Sequence, residues 1–185
     1  AHLAALAQAL RGMDSVTPPT VSRKGICLTN RSQMVRIAVG QPLTIIGERI
    51  NPTGKKALTQ ELQAGAFDVA MQLADAQVDA GATVLDVNVG APLVDETQLL
   101  PELVQRLVGR LPLPLSIDSS NADAIANALP YCPGSFLVNS ISGEAGRMEA
   151  LGPLCRDFGA PFILLPLQGA HLPEKAAERI STVES

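Results

Sequence analysis

The sequence lacks the features that mark several large classes of protein. No apolar run approaches the about 20 residues a membrane-spanning helix needs, and the greasiest stretch, Pro161 to Leu167, is far too short. The N-terminus, AHLAALAQALRG, has no basic region ahead of its apolar residues and does not read as a secretory signal. It also has no initiating Met, which suggests processing or a chain cut from something longer. A formal net charge of -4 leaves no electropositive footprint for nucleic acid or an anionic membrane. The three cysteines (Cys27, Cys132 and Cys155) are widely spaced and include no CxxC, which argues against a disulfide framework and against a zinc site. Cys155 falls at an apolar helical position and reads as a buried small hydrophobe. His2 and His171 stand alone, so no metal is expected. GxGxxG is absent, and Gly54-Lys55-Lys56 lacks both the upstream glycine and the Ser/Thr of a phosphate-binding loop.

What remains is a chain of 185 residues, 46% hydrophobic and 17% charged, ordinary for a soluble globular protein with room for a core. A cytoplasmic location is the expectation. Ala1 to Met13 reads as a short amphipathic helix. Asp14 to Pro42, punctuated by Pro18, Pro19, Gly25, Gly40 and Pro42, reads as a linker or extended arm with one short strand around Met34 to Ile37. This divides the chain into residues 1–42, an end piece plus linker, and 43–185, a domain.

From Leu43 onward strands and helices alternate. The pattern predicts a strand over Leu43 to Ile46, the polar loop GERINPTGKK, and one long helix from Thr59 to Ala80 that Gly81 ends. Leu62, Ala66, Val69, Ala70, Leu73 and Ala80 keep to its inner side. Strands then follow at Thr83 to Val89, Leu113 to Ile117, Ser135 to Val138 and Phe162 to Leu165. Helices lie between them at Glu96 to Gly109, Ala122 to Leu129 and Arg147 to Phe158, and a further helix starts within Pro173 to Ser185. Apolar, non-alternating strands separated by helices mean a parallel sheet covered by helices. Every strand hands over to a polar loop: GERIN, DVNVG, IDSSN, VNSIS and the Gln168-Gly169 turn. Convergence of such loops on one mouth is the arrangement of a (β/α)8 barrel. The expected fold is therefore α/β, of the (β/α)8 TIM-barrel type. A complete barrel takes about 250 residues, so about five of its eight βα units are expected here.

The strand ends carry Glu48, Arg49 and Asn51; Asp86 and Asn88; Asp118, Ser119 and Asn121; Asn139 and Ser140. No histidine or cysteine is among them, so there is no nucleophile–base pair and no transition-metal ligand set. A ring of carboxylates and amides suits a flat, nitrogen-rich heterocycle, since a carboxylate accepts two N–H bonds from a guanidine-like edge. Each residue also has a plainer reading. Asn121 or Asp118 caps the helix at Ala122, Asn51-Pro52 marks a turn, Glu48-Arg49 forms an ion pair, and Lys55-Lys56 is a solvated surface pair.

GERINPTGKK, LDVNVGAP, IDSSN and VNSISGE, in this order and spacing, closely resemble the pterin-binding domain of cobalamin-dependent methionine synthases. Corrinoid:methyltetrahydrofolate methyltransferases share the pattern, and dihydropteroate synthases are more distant relatives whose first loop differs from GERINPTGKK. The resemblance runs from Leu43 to Ser185. Residues 1–37 also look like the last helix of a homocysteine methyltransferase domain and the linker after it. The resemblance implies a methyltransferase that binds methyltetrahydrofolate and passes its N5-methyl group to the cobalt of cobalamin, held on a separate domain of the same or a partner protein, on the way to homocysteine. Zinc would belong only to the homocysteine domain, whose cysteine motif is not in this chain.

By the same resemblance Asp118 and Asn139 match pterin-ring ligands, and Asn88 and Asp86 match the pocket floor and its hydrogen-bond network. Asn51, Gly54, Lys55 and Lys56 match the loop over the folate, where the lysines could meet its glutamate carboxylates. An Asn and an Asp on later strands complete the site in the family. They lie past Ser185, so this piece alone is expected to be inactive.

Overall fold

The computed structural model of the chain describes residues 2–12, 24–167 and 173–184. The Gln168-Gly169 turn, His171, Met13 of the expected first helix and residues 14–23 of the expected linker lie outside them. The first helix, α1 (His2–Ala9), is followed after the undescribed stretch by two strands, β1 (Ile26–Thr29) and β2 (Met34–Ile37), paired antiparallel. Only the second was expected. β1 becomes a strand by pairing with β2 and by burying Leu28, neither of which its own four residues reveal. The hairpin is fastened to the loops that enter the sheet. Thr29 N–H donates to Ser135 O at 2.6 Å, Ser135 N–H donates to Thr29 Oγ1 at 2.7 Å, and Asn30 Nδ2 donates to Leu111 O and Leu113 O at 3.0 and 2.8 Å. Residues 24–37 are thus packed structure where a linker or extended arm was expected.

Five parallel strands follow: β3 (Ile46–Ile50), β4 (Val84–Val87), β5 (Leu115–Asp118), β6 (Leu137–Ser142) and β7 (Phe162–Leu165). They pair in chain order, β3-β4-β5-β6-β7. A doubly wound sheet reverses direction partway across to put helices on both faces. An unreversed order keeps every crossover on one side, as in the wall of a barrel. The structure therefore has the α/β, TIM-barrel-type fold, with five consecutive strands of the eight.

The first strand begins later than expected. Leu43 is 88% exposed, and the strand carries the GERI that was read as loop. Its register with β4 breaks between Gly47 and Ile50, a bulge. Gln77 supports it: Oε1 accepts from Arg49 N–H at 2.7 Å, and it lies so near Gly47 that a Cβ there would sit 2.6 Å away.

The expected long helix is two helices, α2 (Lys56–Gln63) and α3 (Asp68–Asp79). Gly65 breaks it with φ of 70°, a conformation open to glycine at little cost. Glu61 then caps the second helix, its two oxygens accepting from Val69 and Ala70 N–H at 2.6 and 3.2 Å. The kink turns Ala66 outward and buries Phe67 in its place, and Ala80 is likewise exposed.

The remaining helices are α4 (Glu96–Arg110), α5 (Ala122–Ala128), α6 (Arg147–Phe158) and α7 (Ala176–Glu184). The main core lies between helices and sheet, where Leu100, Leu103, Val104 and Leu107 of α4 and Ile125 of α5 meet Leu85, Val87, Ile117 and Val138. Among the described residues no helix is long and apolar enough to cross a membrane.

Candidate functional site

Strand side chains alternate between faces, so when Leu85, Val87, Ile117 and Val138 go to the helices their neighbours go to the barrel interior. At the N-terminal end these inward residues are Val84 and Leu137, which close with Leu28 of the hairpin into a small apolar cluster. One step along come Asp86, Ser116 and Asn139, and beyond them Asn88 and Asp118. Along β4 and β6 the interior changes from apolar to polar within two residues.

The polar layer is bonded across strands. Asp86 is 2% exposed, and its Oδ1 accepts from Ser116 Oγ at 2.6 Å and from Asn139 Nδ2 at 3.0 Å. Its Oδ2 is sealed from solvent without a hydrogen-bond partner among the described residues. Asp118 Oδ2 accepts from Asn88 Nδ2 at 2.8 Å, while Asn88 Oδ1 accepts from Gly90 N–H at 2.7 Å. Four residues singled out from the sequence, Asp86, Asn88, Asp118 and Asn139, are thus brought together in two bonded pairs.

Burial pushes the carboxyl of Asp86 above the ordinary range. Ser116 and Asn139 oppose the rise, and the charges of Asp118 and Glu48 add to it. Asp118 is raised too, chiefly by burial and by Glu48 and Glu96, against the bond from Asn88 and the charge of Arg147.

The other four candidates occupy the β3–α2 loop and are bonded locally. Asn51 Oδ1 accepts from Thr53 N–H at 3.0 Å in a side-chain turn, and Lys55 Nζ donates to Asn51 O at 3.0 Å. Gly54 has φ of 72°, and Lys56 is exposed at the start of α2. Lys55 is thus folded back rather than solvated. Glu48 and Arg49 form no ion pair with each other; the pairs found among the described residues are Arg110–Asp75 and Arg156–Asp157. Asn121 caps α5, its Oδ1 accepting from Asp123 and Ala124 N–H at 3.0 and 3.4 Å.

Three residues escaped the sequence reading. Ser116 had a usable signal, since it stands two before Asp118 on a strand and so shares its face. Arg147 had none: its guanidinium gathers Ser119 O, Ser120 O and Ser140 O at 2.6 to 3.1 Å and ties the β5 loop to β6. Glu96 accepts from Ser119 Oγ at 2.6 Å. Beside Asp118, with Ser140 and Arg147 in its wall, lies a cavity of about 240 Å³. A larger one, about 410 Å³, lies at the opposite end against β1 and α6. Cys27 and Cys155 line it, and burial holds the Cys155 thiol above its ordinary range. The Cys132 thiol is pushed up to about 12 by burial. Among the described residues no cluster of three or more His, Cys, Asp or Glu could hold a metal ion.

Known proteins are similar to this chain. The family described as pterin binding enzyme matches residues 47–184. A methylcorrinoid:tetrahydrofolate methyltransferase of Eubacterium limosum is 32% identical over 143 residues, covering 75% of this chain and 51% of that protein. A dihydropteroate synthetase with a bound product is 25% identical, with a TM-score of 0.56 over 86% of this chain and 58% of that one. Yersinia pestis dihydropteroate synthase is also 25% identical, with a TM-score of 0.55 over 85% of this chain and 54% of that one. The chain spans about half the length of the curated relative it matches. With a family match that takes in every barrel strand from Gly47 on, this chain belongs to the pterin-binding enzymes.

Proposed function

We propose that this chain binds methyltetrahydrofolate by its pterin ring, so that the N5-methyl group can pass to the cobalt of a corrinoid held by another domain or protein. The observation that carries the reading is the sign of the pocket's free atoms. Asp118 Oδ1 and Asn139 Oδ1 accept no hydrogen bond from the described residues, and Asp118 and Asn139 are register partners on β5 and β6. Two adjacent acceptors match the adjacent N–H donors of a pterin's guanidine-like edge. In this reading Asp118 and Asn139 hold the ring, and Asn88 and Asp86 hold them. The loop with Asn51, Gly54, Lys55 and Lys56 covers the folate, Lys56 being the freer ammonium for its glutamate carboxylates. Reduced corrinoid supplies the nucleophile when present. What these residues supply is a fixed, partly dehydrated ring, so that methyl and acceptor meet in line.

The methylcorrinoid:tetrahydrofolate methyltransferase relative supports the folate and corrinoid assignment. The methionine synthase arrangement is the finer part of the proposal: residues 1–42 as the end of a homocysteine methyltransferase-like domain plus a connecting segment whose residues 24–37 pack as the hairpin, and 43–185 as the N-terminal part of the pterin-binding barrel. Likeness to dihydropteroate synthases favours a second reading, the condensation of a pterin diphosphate with an aminobenzoate.

Calorimetric titration of the full-length protein with methyltetrahydrofolate tests both. Asp118→Ala or Asn139→Ala is expected to weaken binding about 10- to 100-fold, the weight of one or two hydrogen bonds, one of them to a charged group. Unchanged affinity in both variants would sink the site assignment. Tighter binding of a pterin diphosphate than of methyltetrahydrofolate would favour the second reading.

A further inference from the structure

Among the polar groups of the interior, Asp86 is the odd one. A carboxylate that touched ligand would present an open oxygen to the pocket, yet Asp86 Oδ2 is sealed and bare, and Oδ1 is taken up by Ser116 and Asn139. As packed, the side chain has no oxygen left for a ligand. What it does control is the amide of Asn139. An amide has a donor end and an acceptor end of nearly equal size, and which end faces the pocket decides whether the position reads a ligand donor or a ligand acceptor. Asp86 Oδ1 takes the donor end, Nδ2, at 3.0 Å. The acceptor end, Oδ1, takes no bond from the described residues and lies beside the register partner of Asn139, Asp118, which lines the pocket. Ser116, fully buried and 2.6 Å from the same oxygen, holds that oxygen in place.

We propose that Ser116 and Asp86 form a buried positioning relay that locks Asn139 with its carbonyl oxygen toward the pocket, making position 139 a reader of ligand N–H groups. The inference rests on reading the pocket as a pterin site. It also accounts for a difference between the two bonded pairs. Asn88 has both ends of its amide committed, Nδ2 to Asp118 and Oδ1 to Gly90 N–H, and so serves only to orient Asp118. Asn139 has one end committed and one free, which is the pattern of a residue held for use. Asp86 and Ser116 act through Asn139 and are positioning residues.

The test compares two stable probes, pterin and lumazine. In the second the exocyclic amine of the first, a donor, is an oxo acceptor, and ring N1, an acceptor in pterin, carries a proton. The wild-type full-length protein is expected to prefer pterin. Asp86→Ala and Ser116→Ala free the Asn139 amide to rotate, and the preference is expected to fall by about tenfold in the first and less in the second, the weight of one hydrogen bond. Asp86→Asn keeps an acceptor oxygen for Asn139 and is expected to retain most of the preference.

An equal loss of affinity for both probes would mean a structural role only and would overturn the relay; so would an unchanged ratio in both alanine variants. A second measurement needs no ligand. The side-chain NH2 signal of Asn139, identified by its disappearance in Asn139→Asp, should be slow to exchange in the wild type, and fast and shifted in Asp86→Ala. An identical signal in the two proteins also overturns the relay. If the wild type binds neither probe, the pterin reading fails, while the amide signal still decides whether the lock exists.

Discussion

The two ends of the barrel interior are built from the same strands and do opposite things. At the N-terminal end Val84 and Leu137 meet Leu28 of the hairpin, all three at most 3% exposed, with no polar group among them. Two residues further along, β4 presents Asp86 and β6 presents Asn139; β5 adds Ser116, and its next inward residue is Asp118. The first layer gains by leaving water. The second gives up hydration and recovers it only in part, since Asp86 Oδ2 has no partner and both aspartates are raised by burial. A parallel strand with period-2 side chains lets one sheet separate stability from recognition along its length. The hairpin supplies the stability at one end, and its cost is a second pairing that the barrel strands do not need.

If this separation is real, the largest effect on stability comes from the apolar end and leaves the other untouched. Leu28→Ala is expected to destabilise by about 3 kcal/mol, the transfer of a buried leucine plus the cavity it leaves. Denaturant unfolding checks the loss, and a titration with methyltetrahydrofolate should show affinity unchanged. A comparable fall in affinity would mean that the two ends are coupled, and the comparison would break.

How much of this contrast was legible beforehand follows the range of each signal. Period and turn chemistry are local, so the five strands, the helices between them and the polar strand ends could be read from short windows. The kink at Gly65 was not read, because Leu62, Ala66, Val69 and Ala70 keep helical spacing across it and only the cap from Glu61 shows that two helices meet there. The hairpin was half read, because β1 exists through β2 and through contacts with residues more than a hundred positions away, such as Thr29 with Ser135. Within the site, Asp86, Asn88, Asp118 and Asn139 stood out because carboxylates and amides at strand ends are unusual in apolar surroundings. Which of them bonds to which was not readable, since it depends on the stagger between β4, β5 and β6. Ser116 and Arg147 act through that stagger.

The second effect is a pH dependence that belongs to the polar end alone. Asp86 faces Ser116 and Asp118 from β5, Asn139 from β6 and Glu48 from β3; Asp118 faces Asn88, Glu48, Glu96 and Arg147. Both carboxyls are raised above their unfolded value of 3.8, so the folded protein holds protons that the unfolded chain has already released. Their contribution is therefore unfavourable at neutral pH and is relieved as pH falls through the raised values, down to about the unfolded one. Stability measured between pH 7 and 4 should carry this favourable trend, and Asp86→Asn and Asp118→Asn should each flatten it. The effect is smaller than the loss of Leu28, because Asp118 remains half-exposed and water screens its charge. A slope that survives in the double variant would assign the trend to other groups and remove the contrast between the ends.

The smallest effect separates two residues three positions apart in IDSSN. Asp118 and Asn121 are both polar, one the last residue of β5 and the other three positions beyond it, and either type serves as a helix cap. In the structure the side chains part. Asp118 is bonded to Asn88 across the strands, whereas Asn121 gives its Oδ1 to the first N–H groups of α5. Asn121→Ala therefore removes a cap and should lower stability by about 1 kcal/mol, read as a lower midpoint in urea, with methyltetrahydrofolate binding unchanged. Asp118→Ala should do the reverse, weakening binding while leaving stability equal or slightly higher at neutral pH, since it deletes a charge that burial partly strips of water. Because the two substitutions lie at the strand end and in the loop that leaves it, a shared distortion of that loop would make their effects alike. Divergent effects instead mean that polar identity at a strand end says little until the partner of each side chain is known.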